Sequence, residues 1–375
     1  MKLQICKRTA LFLSIIFLPA RLAGQANQQF DVTLQIDYSS AERLLNFFDR
    51  QTFNTDVVAN ATGNKIAAAT SLLLARTDRS PQDFSHQLEL VRDDYDIGSD
   101  IYGLEETKSH VDQLKKLMEE LRKRQLDRRV IATVRSYFPS DAKIFASFPV
   151  YVVAMGNEKA AAFVRRIVWK DGNPVFVGEN QGEEVIVLNV ARMIGYSKDV
   201  NQQFVELLGT LAHECFHAIF GVYQQNSEIW QSFHQRREPI WSLAEVVQNE
   251  GIAYYLSMQI AIGGQVPATP WFDATDRAVT NLNNAAKELL SPALQPQRAR
   301  TLILNANLSG SFEGNYGATA GLRMAYEIDT RLGRPALTET ISGGVREFFG
   351  KYDTLCLQNP ILPRLDKSVL NVLEQ

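Results

Sequence analysis

One stretch restricts the possible folds of this chain more than any other. The apolar segment Leu207–Tyr223 contains His213-Glu214-Cys215-Phe216-His217, an H-E-x-x-H pattern. Apolar residues fall on nearly every side of a helix drawn over it, so the sequence predicts a buried helix over about residues 200–220, ending near Gly221. Two imidazoles and a carboxylate are costly to bury unless a partner satisfies them. At i, i+4 spacing both imidazoles share one helix face and can bind one zinc ion at about 2.0–2.1 Å.

The residue between the two imidazoles has a different predicted role. Glu214 lies about 100° around the helix from His213, so we predict that it does not bind the metal. It can instead act as a general base on a water at the open position of a catalytic zinc.

The alternative is a pair of hydrogen-bonded core histidines without metal. The chain has five His in 375 residues, and a chance match is expected in about one such chain in a few hundred. We therefore predict one zinc per chain.

A catalytic zinc usually has a third protein ligand. A second core helix, predicted from Trp241 to Gly263, carries Glu245 and Glu250. Ser242 and Glu245 form a capping-box pattern, which gives Glu245 a structural role. Glu250 has no such role and lies on an apolar stripe, where an ionised carboxylate needs a partner. We predict Glu250 as the third ligand, with His234 as the alternative.

These residues together resemble a known group of enzymes. His213–His217 followed by Asn249-Glu250-Gly251-Ile252-Ala253 resembles the gluzincin metallopeptidases, whose third ligand is a Glu on a second helix. The chain is also similar to an uncharacterised bacterial family of proposed zinc-dependent peptidases. Residues 218–249 separate His217 from Glu250, a longer spacing than in the aminopeptidase branch. Gly251 costs roughly 1 kcal/mol in a helix interior relative to Ala, so it predicts a close backbone approach at that point.

The predicted fold is α+β and mostly α-helical. Residues 27–140 form a helical N-terminal region, residues 141–265 a core that the resemblance implies is zincin-like, and residues 266–375 a helical C-terminal lobe. Four segments rich in β-branched and aromatic residues predict a small antiparallel sheet just before the H-E-x-x-H helix. They are Phe148–Val153, Phe163–Trp169, Val175–Gly178 and Glu184–Val190, with a turn at residues 171–174. Such a sheet either binds a substrate strand along its edge or only covers the core.

Peptide hydrolysis also needs a hydrogen-bond donor for the oxyanion that develops. No His follows His234, and the resemblance then implies a Tyr some tens of residues after the third ligand. Tyr316, in Gly314-Asn315-Tyr316-Gly317-Ala318, fits that position, and Tyr254 and Tyr255 are alternatives. The aminopeptidase branch also implies a Glu that holds the free amine of the substrate, for which Glu179 is a loose match.

The N-terminal residues predict export. Lys2, Lys7 and Arg8 precede the apolar run Ala10–Leu18, and small residues follow up to Ala26. We predict a signal peptide at residues 1–24 and a periplasmic or secreted protein without stable membrane insertion; the alternative is a retained N-terminal anchor. Loss of the four basic residues in this segment, which contains no acid, changes the formal net charge from −3 to −7. A mildly acidic chain gives no electrostatic reason to bind nucleic acid.

The sequence as a whole predicts an exported zinc-dependent peptidase, with a peptide or protein as substrate and oligomeric state left open. One alternative is a non-catalytic, zinc-bound binding protein on the same fold. Another is a zinc amidohydrolase that acts on a cell-wall component. Glu214 favours an enzyme, because a structural zinc site needs the ligands but not that carboxylate.

Overall fold

The computed structural model describes residues 30–77, 82–156, 161–178 and 181–373. The predicted signal peptide and Glu179 lie outside these residues. The prediction of a mostly helical α+β fold is confirmed. The strands are β1 (Phe30–Asp37), β2 (Ile144–Val153), β3 (Ala162–Lys170), β4 (Asn173–Phe176) and β5 (Glu183–Asn189).

Helices fill most of the remaining described chain, and none of them has the length and apolar character of a membrane-spanning segment. Those before β2 are α1 (Ser39–Phe48), α2 (Thr55–Ala59), α3 (Thr62–Ala75), α4 (Gln82–Arg92), α5 (Leu104–Ser109), α6 (Val111–Lys123) and α7 (Leu126–Arg135). Those after β5 are α8 (Val200–Gln225), α9 (Glu228–Phe233), α10 (Pro239–Ile262), α11 (Thr269–Leu289), α12 (Pro296–Leu308), α13 (Tyr316–Leu332), α14 (Arg334–Gln358) and α15 (Lys367–Leu373).

The sheet is mixed rather than antiparallel, so this part of the prediction is wrong. The strand order is β1-β2-β5-β3-β4. β1 pairs parallel with β2, and β2 pairs parallel with β5, whereas β3 runs antiparallel to both β5 and β4. Parallel neighbours require crossover connections, and residues 39–135 supply one between β1 and β2. The predicted turn does join β3 to β4, with Asp171 at φ +49° and Gly172 at φ +73°, as in a two-residue hairpin.

β1 is a strand within residues 27–140, a region that the sequence predicts to be mostly helical. Its side chains alternate strictly, with Phe30, Val32 and Leu34 buried and the residues between them exposed. This period of two was a readable strand signal. The rest of the region is helical as predicted, and α6 buries Leu114, Leu117, Met118 and Leu121.

The H-E-x-x-H helix lies between the sheet and a helical pair. α8 packs against β2, β3 and β5, and also against α10. It continues past Gly221, the predicted end, to Gln225. Because Gly221 adopts helical geometry and α8 has a full turn beyond it, the glycine does not act as a C-cap here. Cys215 and Cys356 are both buried free thiols, so no disulfide joins them.

A glycine contact sets the distance between α10 and α13. A Cβ atom added to Gly251 would lie 2.3 Å from the carbonyl carbon of Gly321, and one added to Gly321 would lie 1.8 Å from the carbonyl oxygen of Val247. The two backbones therefore touch where neither residue has a side chain. The predicted close approach at Gly251 is confirmed.

Candidate metal centre

The two core helices α8 and α10 run antiparallel in a fixed register. Ser257 Oγ donates a hydrogen bond to the Gly209 carbonyl over 3.0 Å at one level. His217 Nδ1 and Asn249 Oδ1 are 2.9 Å apart at the next, and Gln224 Nε2 donates to Glu245 Oε1 over 2.9 Å further along. Residues four apart on one helix face share a stripe, so this register places the imidazole pair of α8 opposite Glu250 of α10.

The three predicted ligand residues converge on one point. His213 Nε2 and His217 Nε2 are 3.0 Å apart. Glu250 Oε2 lies 3.3 Å from His217 Nε2 and 3.6 Å from His213 Nε2. The three side chains remain 14%, 19% and 17% exposed for His213, His217 and Glu250, respectively. The centre is therefore held in the helix pair but open to solvent on one side, as a substrate would require.

The geometry and donor set of this cluster fit zinc. Atoms that each lie about 2.0–2.1 Å from one ion at tetrahedral angles are separated from one another by about 3.3–3.4 Å. The observed separations of 3.0, 3.3 and 3.6 Å bracket that value. Glu250 Oε2 is buried, and no described residue makes a well-aligned hydrogen bond to it. Two imidazoles and one carboxylate with a side open to solvent are also the ligand set of known catalytic zinc sites.

Asn249 orients one of the imidazoles. If His217 Nδ1 donates its proton to Asn249 Oδ1, the neutral ring presents the Nε2 lone pair to the cluster. A fixed tautomer and ring orientation are what a histidine ligand needs. Sequence reasoning did not assign Asn249 a role, although it lies immediately before Glu250.

Charge and burial act against each other in this cluster. Burial by itself would lower the pKa of His217, but the nearby Glu250 carboxylate raises that pKa to about 9. Burial likewise opposes ionisation of Glu250, but the charge of His217 and contacts with both imidazoles hold the pKa of this carboxyl well below its usual range. The metal-free protein therefore contains a His217–Glu250 ion pair near neutral pH.

Glu214 lies beside this pair without joining the cluster. Burial raises the pKa of Glu214, the two neighbouring imidazoles counteract this, and Glu250 adds to it. The positive charge of Arg165 on β3 also lowers the pKa of Glu214. The carboxylate is therefore within electrostatic range of the imidazoles and of Arg165, and it is not among the three residues that converge.

His234 lies elsewhere, and Glu245 does not cap a helix. α10 begins at Pro239, so Ser242 and Glu245 are already inside it and the predicted capping box does not form. Proline is favoured in the first turn because its missing N–H is not needed there. Glu245 Oε1 instead accepts from Gln224 and lies 3.0 Å from His234 Nε2. His234 is thus paired outside the cluster with Glu245.

The predicted oxyanion donor also needs correction. The hydroxyl of Tyr316 donates to the Leu302 carbonyl over 2.5 Å, which directs it into the contact between α12 and α13. The hydroxyl of Tyr255 donates to Asp329. Tyr254 remains, and its ring centroid lies 4.8 Å from that of His213 in an edge-to-face contact. From the Gly314–Ala318 motif, it is the amide of Asn315, not Tyr316, that hydrogen-bonds near the cluster, to Tyr254.

The fold and site define an α+β protein in which two imidazoles and a carboxylate of antiparallel core helices converge in a group that could hold a metal ion. A family model described as "Putative zinc dependent peptidase (DUF5700)" matches residues 56–360, most of the chain. The chain belongs to this family. The matched range includes His213, His217 and Glu250. No curated protein and no solved structure matches the chain.

Proposed function

We propose that this protein is a peptidase of gluzincin type that hydrolyses peptide bonds at a zinc ion held by His213, His217 and Glu250. The observation that carries the proposal is the convergence of these three side chains, with a fourth, Glu214, beside them and not among the ligands. The membership of the chain in its family supports zinc dependence and peptidase activity in general terms.

The residues around the cluster have distinct roles in hydrolysis. Zinc, when bound, supplies an activated water and a Lewis acid for the scissile carbonyl. Glu214 accepts the proton of the water as its oxygen bonds to the carbonyl carbon, and then transfers that proton to the leaving nitrogen as the C–N bond breaks. The raised pKa of Glu214 suits both directions of transfer. Tyr254, whose ring packs on His213, would donate a hydrogen bond to the carbonyl oxygen.

The sheet can hold the substrate backbone. β4 pairs with only the Ile167–Lys170 part of the outer edge of β3. α8 packs against β3, and the charge of Arg165 in the first half of β3 acts on Glu214, which favours this half as the one that faces the substrate. An extended peptide added along that half would gain main-chain hydrogen bonds.

We also propose that residues 1–24 direct export, which N-terminal sequencing of the mature protein would test.

One substitution separates an enzyme from a zinc-bound binding protein. Glu214→Gln keeps the size of the side chain and removes the base, so we expect zinc content and melting temperature to stay near wild type. The rate of hydrolysis of a peptide mixture, followed by mass spectrometry, should fall by about 10²–10⁴-fold. The matched control is Glu245→Gln on α10, which should retain activity. Full activity in the Glu214→Gln protein would contradict the proposed mechanism.

A further inference from the structure

A cavity adjoins the metal cluster in the groove between α8 and α10. Its volume is about 280 Å³. α8 and α10 form two walls, and Trp271 of α11 and Phe312 of the loop before α13 also line it. Its lining residues include Gly209, Thr210, Tyr254, Met258, Trp271 and Phe312.

The helix register connects this cavity to the cluster. Thr210 lies three residues before His213 on α8, and Tyr254 lies four residues after Glu250 on α10. At about 1.5 Å of rise per residue, the cavity begins about one helical turn from the ligands. Tyr254 belongs to both, because its ring packs on His213 and also lines the cavity. Successive residues of an extended peptide are about 3.3 Å apart, so a side chain beside the scissile bond can reach the cavity.

The walls are suited to an apolar group. Large apolar side chains in the lining come from Val205, Met258, Trp271, Phe312 and Leu322. Polar wall atoms already have partners: Thr210 Oγ1 donates to the Glu206 carbonyl, and Ser257 Oγ donates to the Gly209 carbonyl. The Glu206 carboxylate accepts a hydrogen bond from Tyr196, a residue that does not line the cavity. An Asp or Glu side chain entering here would lose its water and would meet the Glu206 carboxylate instead of a counter-charge.

The volume favours one large side chain over a whole small molecule. An apolar cavity of roughly 150 Å³ can hold benzene, so 280 Å³ accommodates a leucine, methionine or phenylalanine side chain. Pockets for complete ligands usually exceed about 300 Å³. Phe312 at the mouth is 42% exposed, an apolar surface that such a side chain would cover.

We propose that this cavity is the specificity pocket of the site and binds a Leu, Met or Phe side chain adjacent to the scissile bond. The inference rests on the proposed function, since it assigns a substrate class to the same centre. The preferred substrate is then a peptide with a large apolar residue beside the cleaved bond, and Asp and Glu are disfavoured there.

Binding to an inactive protein tests the pocket separately from catalysis. Zinc-loaded Glu214→Gln protein would be titrated by calorimetry with polar peptides that contain a single Leu, or Ala, Lys or Glu in its place. Burial of a leucine side chain predicts that the Ala peptide binds at least about tenfold more weakly than the Leu peptide. The Glu peptide should bind no better than the Ala peptide, and the Lys peptide should bind more weakly than the Leu peptide.

Two further substitutions in the Glu214→Gln protein change the size of the pocket. Met258→Ala should shift the preference from Leu toward Trp, and Met258→Trp should shift it from Leu toward Ala. The control is Ile361→Ala, which removes an apolar side chain that is 88% exposed outside the cavity and should leave every affinity unchanged. Melting temperature and zinc content check that each variant is folded.

The outcomes separate the pocket from the proposed function. Three results would contradict the proposal that the cavity is a specificity pocket. They are equal affinities for the Leu and Ala peptides, an unchanged size preference in both Met258 variants, or no peptide binding at all. If the inactive protein prefers Leu but wild type cleaves none of the peptides, the pocket stands and the proposed function fails. If wild type cleaves the peptides without regard to the Leu, the proposed function stands and the pocket fails.

Discussion

At the scale of single residues, the cluster depends on acids and imidazoles kept in an otherwise apolar helix pair. Glu250 and His217 compensate each other's burial in the metal-free protein, which explains why their pKa values move in opposite directions. An ion pair of this kind stabilises only while both members are charged. Zinc would replace the proton on His217 and leave the carboxylate ionised.

This exchange predicts a pH dependence. The pKa of His217 in the metal-free fold, about 9, exceeds its ordinary value of 6.5. The ion pair therefore contributes its full stabilisation below about pH 6.5 on the His217 side and loses it as the pH rises through 9. At pH 7, zinc binding should release about one proton from His217, and zinc affinity should increase from pH 7 to 9. Calorimetry in two buffers of different ionisation enthalpy measures the release; none at pH 7 would contradict the ion pair.

The position of Tyr254 predicts which tyrosine takes part in catalysis. Tyr254→Phe removes the hydroxyl and keeps the ring on His213, so kcat for peptide hydrolysis should fall by about 10²–10³-fold with zinc content unchanged. Tyr316→Phe is the matched control and should keep kcat near wild type, because it loses only a hydrogen bond to Leu302. The opposite result, a loss of kcat in Tyr316→Phe alone, would restore the prediction from sequence.

The residue-level predictions differ in success for a physical reason. His213, His217 and Glu250 converge because helix periodicity alone places them on facing stripes. Tyr316 was chosen by its distance along the chain, which does not determine where its hydroxyl points; the packing of α12 on α13 determines that. Tyr254 carried a usable signal, because it follows Glu250 by four residues on the same helix face.

At the scale of elements, α10 is held between two different neighbours. α8 contacts it through polar bonds at the levels of Ser257, Asn249 and Glu245. α13 contacts α10 directly through main-chain atoms, where Gly321 of α13 lies against Gly251 of α10. Since Gly251 adjoins Glu250, the glycine contact helps to fix the position of the third ligand.

Filling this contact should disturb both stability and the metal site. Gly321→Ala places a Cβ atom where the Val247 carbonyl oxygen lies, so α13 must move away. We expect a loss of about 1–3 kcal/mol in the free energy of unfolding, measured with denaturant, together with weaker zinc binding. Gly350→Ala, at a helix position of α14 where an added Cβ has no neighbour within 4 Å, should be neutral or stabilise by up to about 1 kcal/mol. Equal effects of the two substitutions would contradict the close contact.

The sequence predicted the helices better than the sheet. α8, α10 and the hairpin of β3 and β4 follow from local periodicity and turn residues. The parallel pairing of β1 with β2 joins Phe30 to Ile144, a contact between residues more than 100 positions apart. No local pattern reports such a partner, and the antiparallel prediction failed because it considered only neighbouring strands.

At the scale of the whole molecule, the candidate site draws on several regions of the chain. The sheet supports α8, which supplies His213 and His217, and α10 supplies Glu250. The C-terminal region adds Gly321, which contacts α10, and Trp271 and Phe312, which line the cavity. The predicted C-terminal lobe is thus part of the site and not merely attached to it.

The central claim is that one zinc ion is held between α8 and α10 by two imidazoles and Glu250. The most direct measurement is the zinc content of purified protein, determined by inductively coupled plasma mass spectrometry for wild type, Glu250→Ala and His234→Ala. We predict about one zinc per chain in wild type and in His234→Ala, and little in Glu250→Ala. Full zinc in a folded Glu250→Ala protein, with loss in His234→Ala, would contradict the assignment.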